Sequence, residues 1–365
     1  MERFKNIESA SGAWITVDGR QVLSFGGCCY LGLAKMPALL EAGERALEQF
    51  GMTAPLSRYY GFSQQPEIEV IEAAKDFFGT EDAMYFSTGY LFGMIALNGI
   101  ADRYDAIFLD EKTHFSLREG AVVTGKPVFT FRHMDAANLK DVVRKNLQPG
   151  QIPLVATDGM FPTFGDIPPL DAYQTVLKDY GGWLVVDESH SFGAVGGLGG
   201  GAVEKYGLDR ERVIAGGSLA KAFCAFGGIA TGSAQAIDSM RNASAARGST
   251  GGTASSQAVA AASLNYVKSH PEMLEKLRIN TKRLKDGLKS LGIWVEDSES
   301  PVSTFTIGNA ETMITLQKDL WEKGIFVGYT TYVGAGPAGA IRCAVFSDHE
   351  LEDIDRLLQE LETRI

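Results

Sequence analysis

The sequence lacks the features that would send it to a membrane, a secretory route or a nucleic acid. It holds no uninterrupted apolar run of 18 residues, so no membrane-spanning helix is expected. Met1-Glu2-Arg3-Phe4-Lys5 leads into no apolar signal core, and a cytoplasmic protein is expected. Cysteine is scarce: Cys28, Cys29, Cys224 and Cys343 show no CxxC spacing and no zinc-like pairing with histidine. They read as buried thiols in a reducing compartment, and no metal site is expected. Basic residues are also in deficit, 34 against 45 acidic, for a net charge of −11. Such a balance disfavours tracking of phosphate backbones or anionic lipid, although a local pocket for a small anion is compatible with it. Proline is sparse at 12 residues, while glycine reaches 42 of 365, well above the usual ~7%. Without a Gly-X-Y period, that surplus excludes collagen and points to tight turns or close backbone approach.

The remaining composition is that of a globular chain with a sizeable core, 45% hydrophobic and 22% charged. Trp14 to Phe25 alternates around Asp18-Gly19, a type I′ hairpin signal. Met36 to Phe50 and Glu67 to Phe78 carry apolar residues at helical spacing, each stopped by a glycine. Short apolar strands then alternate with helical stretches: Ala83-Phe86, Ala106-Leu109, Val128-Phe131, Pro153-Thr157, Trp183-Val186 and Arg212-Ala215. This pattern predicts an α/β fold with an open, mainly parallel sheet between helices. From Ser256 the texture becomes α+β. A long helical stretch, broken near Pro271 and resuming over Glu272 to Leu291, is followed by strands at Ile293-Val295 and Ser303-Ile307. A helix at Met313-Lys323, strands at Ile325-Tyr329 and Ala340-Phe346 and a terminal helix from Glu350 complete it. The expected division is an N-terminal segment over 1–50, a large domain over 51–250 and a small C-terminal domain over 251–365.

Ligands of open α/β sheets bind beyond the carboxyl ends of the strands, so residues at strand exits are the candidates. Asp187-Glu188-Ser189-His190-Ser191 follows one strand, and Gly216-Gly217-Ser218-Leu219-Ala220-Lys221 follows another. Lys221 stands among small and apolar neighbours, unusual for a solvated lysine. Ser87-Thr88-Gly89-Tyr90 opens a helix after a third strand, offering backbone N–H groups and a hydroxyl to an anion. Asp110 and His114 follow a fourth. Pyridoxal 5′-phosphate uses all of these at once. It needs a lysine for a Schiff base, an acid for the pyridine nitrogen, a phosphate cup and a group over the ring.

From about Val17 onward the chain resembles the α-oxoamine synthases, a family of fold-type I pyridoxal-phosphate transferases. The matching runs are Tyr30-Leu31-Gly32-Leu33, Ser57-Arg58, Thr88-Gly89-Tyr90, and Asp110 with His114 and Ser116. They continue with Phe131-Arg132-His133-Met134-Asp135, Gly165-Asp166, Asp187 to Gly193, Lys221-Ala222-Phe223, Ser249-Thr250, and Arg342 seven residues before His349. The resemblance implies a large domain with a seven-stranded, mainly parallel sheet and a smaller α+β domain. It also implies that Lys221 holds the cofactor, Asp187 pairs with its pyridinium, His190 bonds its phenolic oxygen and His114 stacks on the ring. Thr88, Gly89, Tyr90 and Ser218 would hold the phosphate, with Thr250 contributed by the second subunit of a homodimer. Arg342 would clamp an amino-acid carboxylate, and Arg58, Cys28 and Glu67 would lie toward substrate.

The expected reaction is condensation of an amino acid with an acyl thioester, usually with decarboxylation. Transamination, aldol cleavage or elimination on the same cofactor is the alternative, and a non-enzymatic binding role is a third. Several positions depart from the family pattern. Cys28-Cys29 stands where an Asn is usual and Glu67 where a His is usual. Ala220 replaces a Ser, Pro162-Thr163 a Ser-Met pair, and Gly199-Gly200-Gly201 a Gly-Arg-Gly loop.

Overall fold

The computed structural model describes residues 5–53 and 60–365. They form two compact units, one of residues 37–53, 60–161 and 167–269, the other of residues 5–36, 162–166 and 270–365. Helix Pro37–Phe50 and helix Gln65–Phe78 both pack on helix Ala254–Ser269, and all three belong to the larger unit.

The larger unit is built on a seven-stranded sheet. Its spatial order is Asp82–Phe86, Gly228–Gly232, Val213–Ser218, Trp183–Asp187, Pro153–Asp158, Ala106–Asp110 and Val128–Phe131. The five strands from Val213–Ser218 to Val128–Phe131 run parallel, while Gly228–Gly232 is antiparallel to both its neighbours. That antiparallel strand, Gly-Ile-Ala-Thr-Gly, is absent from the sequence reading because its residues are small and show no alternation. Their size is a packing requirement: a Cβ on Gly228 would lie 2.2 Å from the Phe86 ring. The central strands are buried on both faces, so they read as continuous apolar runs.

Helices Phe92–Gly99 and Phe115–Val123 cross through glycines. A Cβ on Gly120 would meet the Gly93 carbonyl carbon at 2.5 Å and Met94 N at 2.7 Å. This close approach sets the height of the second helix, whose first turn carries His114 and Ser116.

The smaller unit contains two three-stranded sheets. Trp14–Val17 and Arg20–Ser24 form the expected hairpin, with Asp18 and Gly19 at φ 48° and 75°, as a type I′ turn requires. Ile325–Phe326 adds to its edge in parallel. In the second sheet Ala340–Ala344 lies between Val302–Phe305 and Gly328–Thr330, both antiparallel to it. The single strand expected at Ile325-Tyr329 is thus two, one in each sheet. Ile293-Val295 forms no strand; Ile293 and Val295 are buried without joining a ladder.

Two family-pattern residues prove to be structural here. Gly32, at φ +67°, abuts the Asp348 side chain at 2.8 Å from its would-be Cβ, and Asp348 Oδ2 accepts the N–H of Ala13 at 3.0 Å. His349 stacks on Phe25 at 4.5 Å, accepts the Phe346 N–H at Nδ1 (2.9 Å) and reaches the Ser24 carbonyl from Nε2 (3.1 Å). Among the described residues no helix is long and apolar enough to cross a membrane, and none of the four cysteines forms a disulfide.

Two outcomes are expected. Gly120→Ala should lower unfolding stability by about 1–3 kcal/mol, the usual cost of overpacking, measured by urea denaturation. For His349, burial pushes the imidazole below its ordinary pKa, so the unfolded chain, titrating near ~6.5, takes up a proton first as pH falls. Its contribution is therefore present above about pH 6.5 and lost on acidification. Thermal melting between pH 7.5 and 5.0 should show a smaller acid-induced fall in Tm for His349→Gln than for the unmodified protein.

Candidate active site

Three neighbouring parallel strands end in buried aspartates: Asp110, Asp158 and Asp187. Asp110 is a tie rather than a reactive group. It accepts Lys112 N and His133 Nδ1 on Oδ1 and Met134 N on Oδ2, all at 2.9 Å, joining its strand exit to the next. Met134 is held at φ +57° by this bond.

Asp187 accepts the Ser189 N–H at 3.0 Å on Oδ1, and the Ser116 hydroxyl lies 3.4 Å from Oδ2. Directly opposite it in register stands Asp158, whose Oδ2 accepts the His114 N–H at 3.0 Å. Burial, reinforced by the charge of Asp187, pushes Asp158 well above the usual carboxylate range. Asp158 escaped the sequence reading, although its signal was present: like Asp110 and Asp187, it is an acid at a strand exit.

His114 caps helix Phe115–Val123, its Nδ1 accepting Ser116 N at 3.2 Å. Burial lowers its pKa, the charge of Lys221 acts in the same direction, and Asp187 and Glu119 oppose them. His114 and Asp158 thus both feel Lys221, which the structure sets near this group at the exit of Val213–Ser218. Lys221 sits in a closed turn. Leu219 N bonds to Gly227 O, Ala225 N to Leu219 O and Cys224 N to Lys221 O, with Cys224 at φ +48°. Ala222 and Phe223 are buried beneath it, which explains the apolar neighbours seen in the sequence.

The proposed phosphate residues also meet. A Cβ on Gly89 would lie 2.4 Å from Ser218 Cα, so the Thr88-Gly89 turn backs directly on Ser218. Gly217, at φ +149°, leaves room where a Cβ would come within 2.4 Å of Ser189 Oγ and 2.7 Å of Asp187 Oδ1. Ser189 Oγ in turn accepts Ser218 N at 2.8 Å, knitting the two strand exits together. Tyr90 donates its hydroxyl to Glu119 at 2.7 Å, with its ring edge-on to His114. His190 is half-buried three residues after Asp187, and Thr250 is exposed.

The glycine loop after His190 is wound around two carboxylates. Glu188 accepts Ala202 N, Val203 N and the Ser191 hydroxyl, and a Cβ on Gly201 (φ +93°) would touch its carboxylate at 2.6 Å. Burial pushes Glu188 up to about 7 against these bonds. Glu204 accepts Leu198 N and Gly200 N. Glu67 accepts the Ser63 hydroxyl at 2.7 Å. Arg58 lies outside the described residues.

Arg342 and Cys28 belong to the smaller unit and touch there. The guanidinium donates Nε to Pro162 O (2.9 Å) and Nη1 to Gly27 O (3.1 Å). Its Nη2 approaches Tyr30 OH at 3.4 Å and Cys28 Sγ at 3.9 Å. Burial foremost, with Cys28 adding to it, holds the Tyr30 phenol well above its ordinary pKa despite Arg342.

Residues 21–361 match the model of the aminotransferase class I and II family. The chain belongs to this family. Among curated relatives, it is 33% identical over 361 residues to an 8-amino-7-oxononanoate synthase of Methylococcus capsulatus, covering 97% of this chain and 92% of that protein. It is 32% identical over 365 residues to 8-amino-7-oxononanoate synthase 1 of Bacillus velezensis, with 98% and 92% covered. The solved serine palmitoyltransferase of Sphingomonas wittichii superposes with a TM-score of 0.93 at 25% identity, covering 99% of this chain and 91% of that one. A second, from S. paucimobilis with bound PLP and myriocin, gives 0.91 at 25%, covering 99% and 92%. The fold is therefore that of fold-type I pyridoxal-phosphate transferases, as the resemblance implied.

The residues fit that cofactor. The Gly89–Ser218 contact and the space at Gly217 form a cradle beside Asp187 that a Cβ would fill, with a histidine and a lysine bordering the same carboxylates. Gly217→Ala should weaken retention of pyridoxal phosphate about tenfold or more, because its methyl displaces Asp187 or Ser189. Absorbance after dialysis against graded cofactor concentrations measures this.

Proposed function

We propose that this chain is a pyridoxal-phosphate-dependent C-acyltransferase of the α-oxoamine synthase type. It would join an amino acid to an acyl thioester, giving an α-amino ketone, free thiol and carbon dioxide. The observation that carries this reading is the grouping of Lys221, Asp187, His114 and the Gly89–Ser218 cradle at the exits of the large sheet, in a chain whose relatives bear those synthase names. The acyl carrier, CoA or a carrier protein, is left to the assay. The homodimer with Thr250 shared across it, and the cytoplasmic location, are part of the same proposal.

Bound pyridoxal phosphate draws electrons from the α-carbon of an amino acid joined to it. The chain's own residues supply the rest. Asp187 would hold a proton at the pyridine nitrogen, and His190 would donate to the ring oxygen. Backbone N–H groups at Gly89 and Tyr90, with the hydroxyls of Thr88 and Ser218, would bind the phosphate at a helix start. His114 would cover the ring face and exclude water from it. Lys221 Nζ would hold the cofactor and, as a free amine, would take the α-proton. Arg342, oriented by Pro162 O and Gly27 O, binds the substrate carboxylate through its planar fork. The thioester carbon then bonds to the α-carbon as its C–S bond breaks, and loss of carbon dioxide leaves the amino ketone.

Purified protein is expected to be yellow, and to release thiol from at least one acyl-CoA when given its amino acid. Lys221→Ala should abolish the visible band and slow condensation about 10²–10⁴-fold. Thiol release from no pairing, together with conversion of the cofactor to its pyridoxamine form by an amino acid, would replace this reading with transamination. A colourless protein that binds no pyridoxal phosphate would remove the cofactor altogether.

A further inference from the structure

Ser116 sits where no assigned role reaches it, between the two groups on which the site turns. It is buried, in the first turn of helix Phe115–Val123. Its Oγ lies 2.8 Å from His114 Nδ1 and 3.4 Å from Asp187 Oδ2. Its N–H points at the same Nδ1, 3.2 Å away. A backbone N–H can only donate, so Nδ1 must be an acceptor and carry no proton. In a neutral imidazole the proton is then on Nε2. The serine hydroxyl has one proton and two acceptors within reach, and the nearer is Nδ1. From the other side, the His114 N–H is fixed to Asp158.

We propose that Ser116 is a positioning residue that locks His114 in its Nε2–H form by directing both its N–H and its hydroxyl proton at Nδ1. The charged or titratable groups facing this histidine are Asp187, Lys221 and Glu119, with Asp158 on its N–H and Tyr90 edge-on to its ring. Lys221 opposes a second positive charge on the ring. Asp187 and Glu119 favour it, and burial disfavours it most of all. A donor hydrogen bond into Nδ1 adds to the side of the neutral ring. Removing that donor should let proton-bearing Nδ1 forms appear and move the titration of His114 upward. Without the hydroxyl, the 3.2 Å N–H contact holds a bare Nδ1 less firmly than the two donors together.

The test is a pH titration of protein labelled with ¹⁵N-histidine, purified with whatever cofactor it retains. Only five histidines contribute, and His114→Gln identifies the signal. The unmodified protein is expected to show Nε2–H His114 at neutral pH. Ser116→Ala should show Nδ1–H or imidazolium forms with a higher midpoint, and Ser116→Thr, which restores a hydroxyl, should return toward the starting state. Unshifted His349 signals report that a variant is folded. A His114 already protonated on Nδ1 in the unmodified protein overturns the proposal without any variant. So does a Ser116→Ala protein whose tautomer and midpoint are unchanged.

A second readout rests on the proposed condensation: Ser116→Ala should lower kcat at least about tenfold with little change in KM for the amino acid. Equal loss in kcat and rise in KM would count against positioning. Absence of condensation in the unmodified protein, with the expected tautomer shift, sinks the proposed function and leaves the role of Ser116 standing.

Discussion

Burial of three aspartates side by side at the carboxyl edge of a parallel sheet is the constraint from which the site follows. A buried carboxylate is costly unless it is hydrogen-bonded, paired or neutralised. The fold uses a different remedy for each. Asp110 is satisfied by two backbone N–H groups and the His133 ring, and so becomes a structural knot. Asp158 is pushed well above the usual carboxylate range by burial and by Asp187, while one oxygen fixes the His114 backbone. Asp187 accepts the Ser189 N–H, with the Ser116 hydroxyl farther off at 3.4 Å.

Glycine follows from the same crowding. To bring loops within bonding distance of these strand ends, the backbone must pass where side chains would collide. Gly89 against Ser218, Gly217 against Asp187 and Ser189, and Gly201 against Glu188 are three such passages, and the latter two require positive φ as well. Part of the glycine excess thus follows from crowding at these strand ends. It also explains why the loop around Glu188 and Glu204 holds a fixed shape although its side chains contribute almost nothing.

Much of this was legible in the sequence because strand exits announce themselves. A buried parallel strand reads as an unbroken apolar run, and the polar residue that ends it stands out, as Asp187 does after Trp-Leu-Val-Val. Chain order then arranged Thr88, His114, Asp187, Ser218 and Lys221 as candidates on one edge. What escaped has physical reasons. The strand Gly228–Gly232 is defined by the space available beside Phe86, not by propensity. Ile325-Tyr329 splits between two sheets because pairing partners, which lie far off in sequence, decide where each half goes. His349 and His133 stand in the sequence only within the matching runs, and each serves as a tie between backbone segments, a role that only their partners reveal. Asp158 is legible as an acid at a strand exit, but its register with Asp187 is a relation between strands that the sequence does not display.

The departures from the family pattern sort by position. Ala220 is exposed, and the substituted glycine loop is held by carboxylates of its own unit. Cys28 and Pro162, 134 residues apart, instead meet the same guanidinium: Pro162 through its carbonyl on Nε, Cys28 through its sulfur near Nη2. A proline there still presents a carbonyl, so the hold on Arg342 survives the loss of a side-chain hydroxyl. A cysteine presents a polarisable, weakly accepting sulfur where an amide would compete strongly for the guanidinium's protons. Both changes thus leave Arg342 anchored by main-chain oxygens while reducing the polar side-chain competition around it. The residues that would hold the cofactor keep their chemistry, and the variation gathers on the group that would meet the substrate carboxylate.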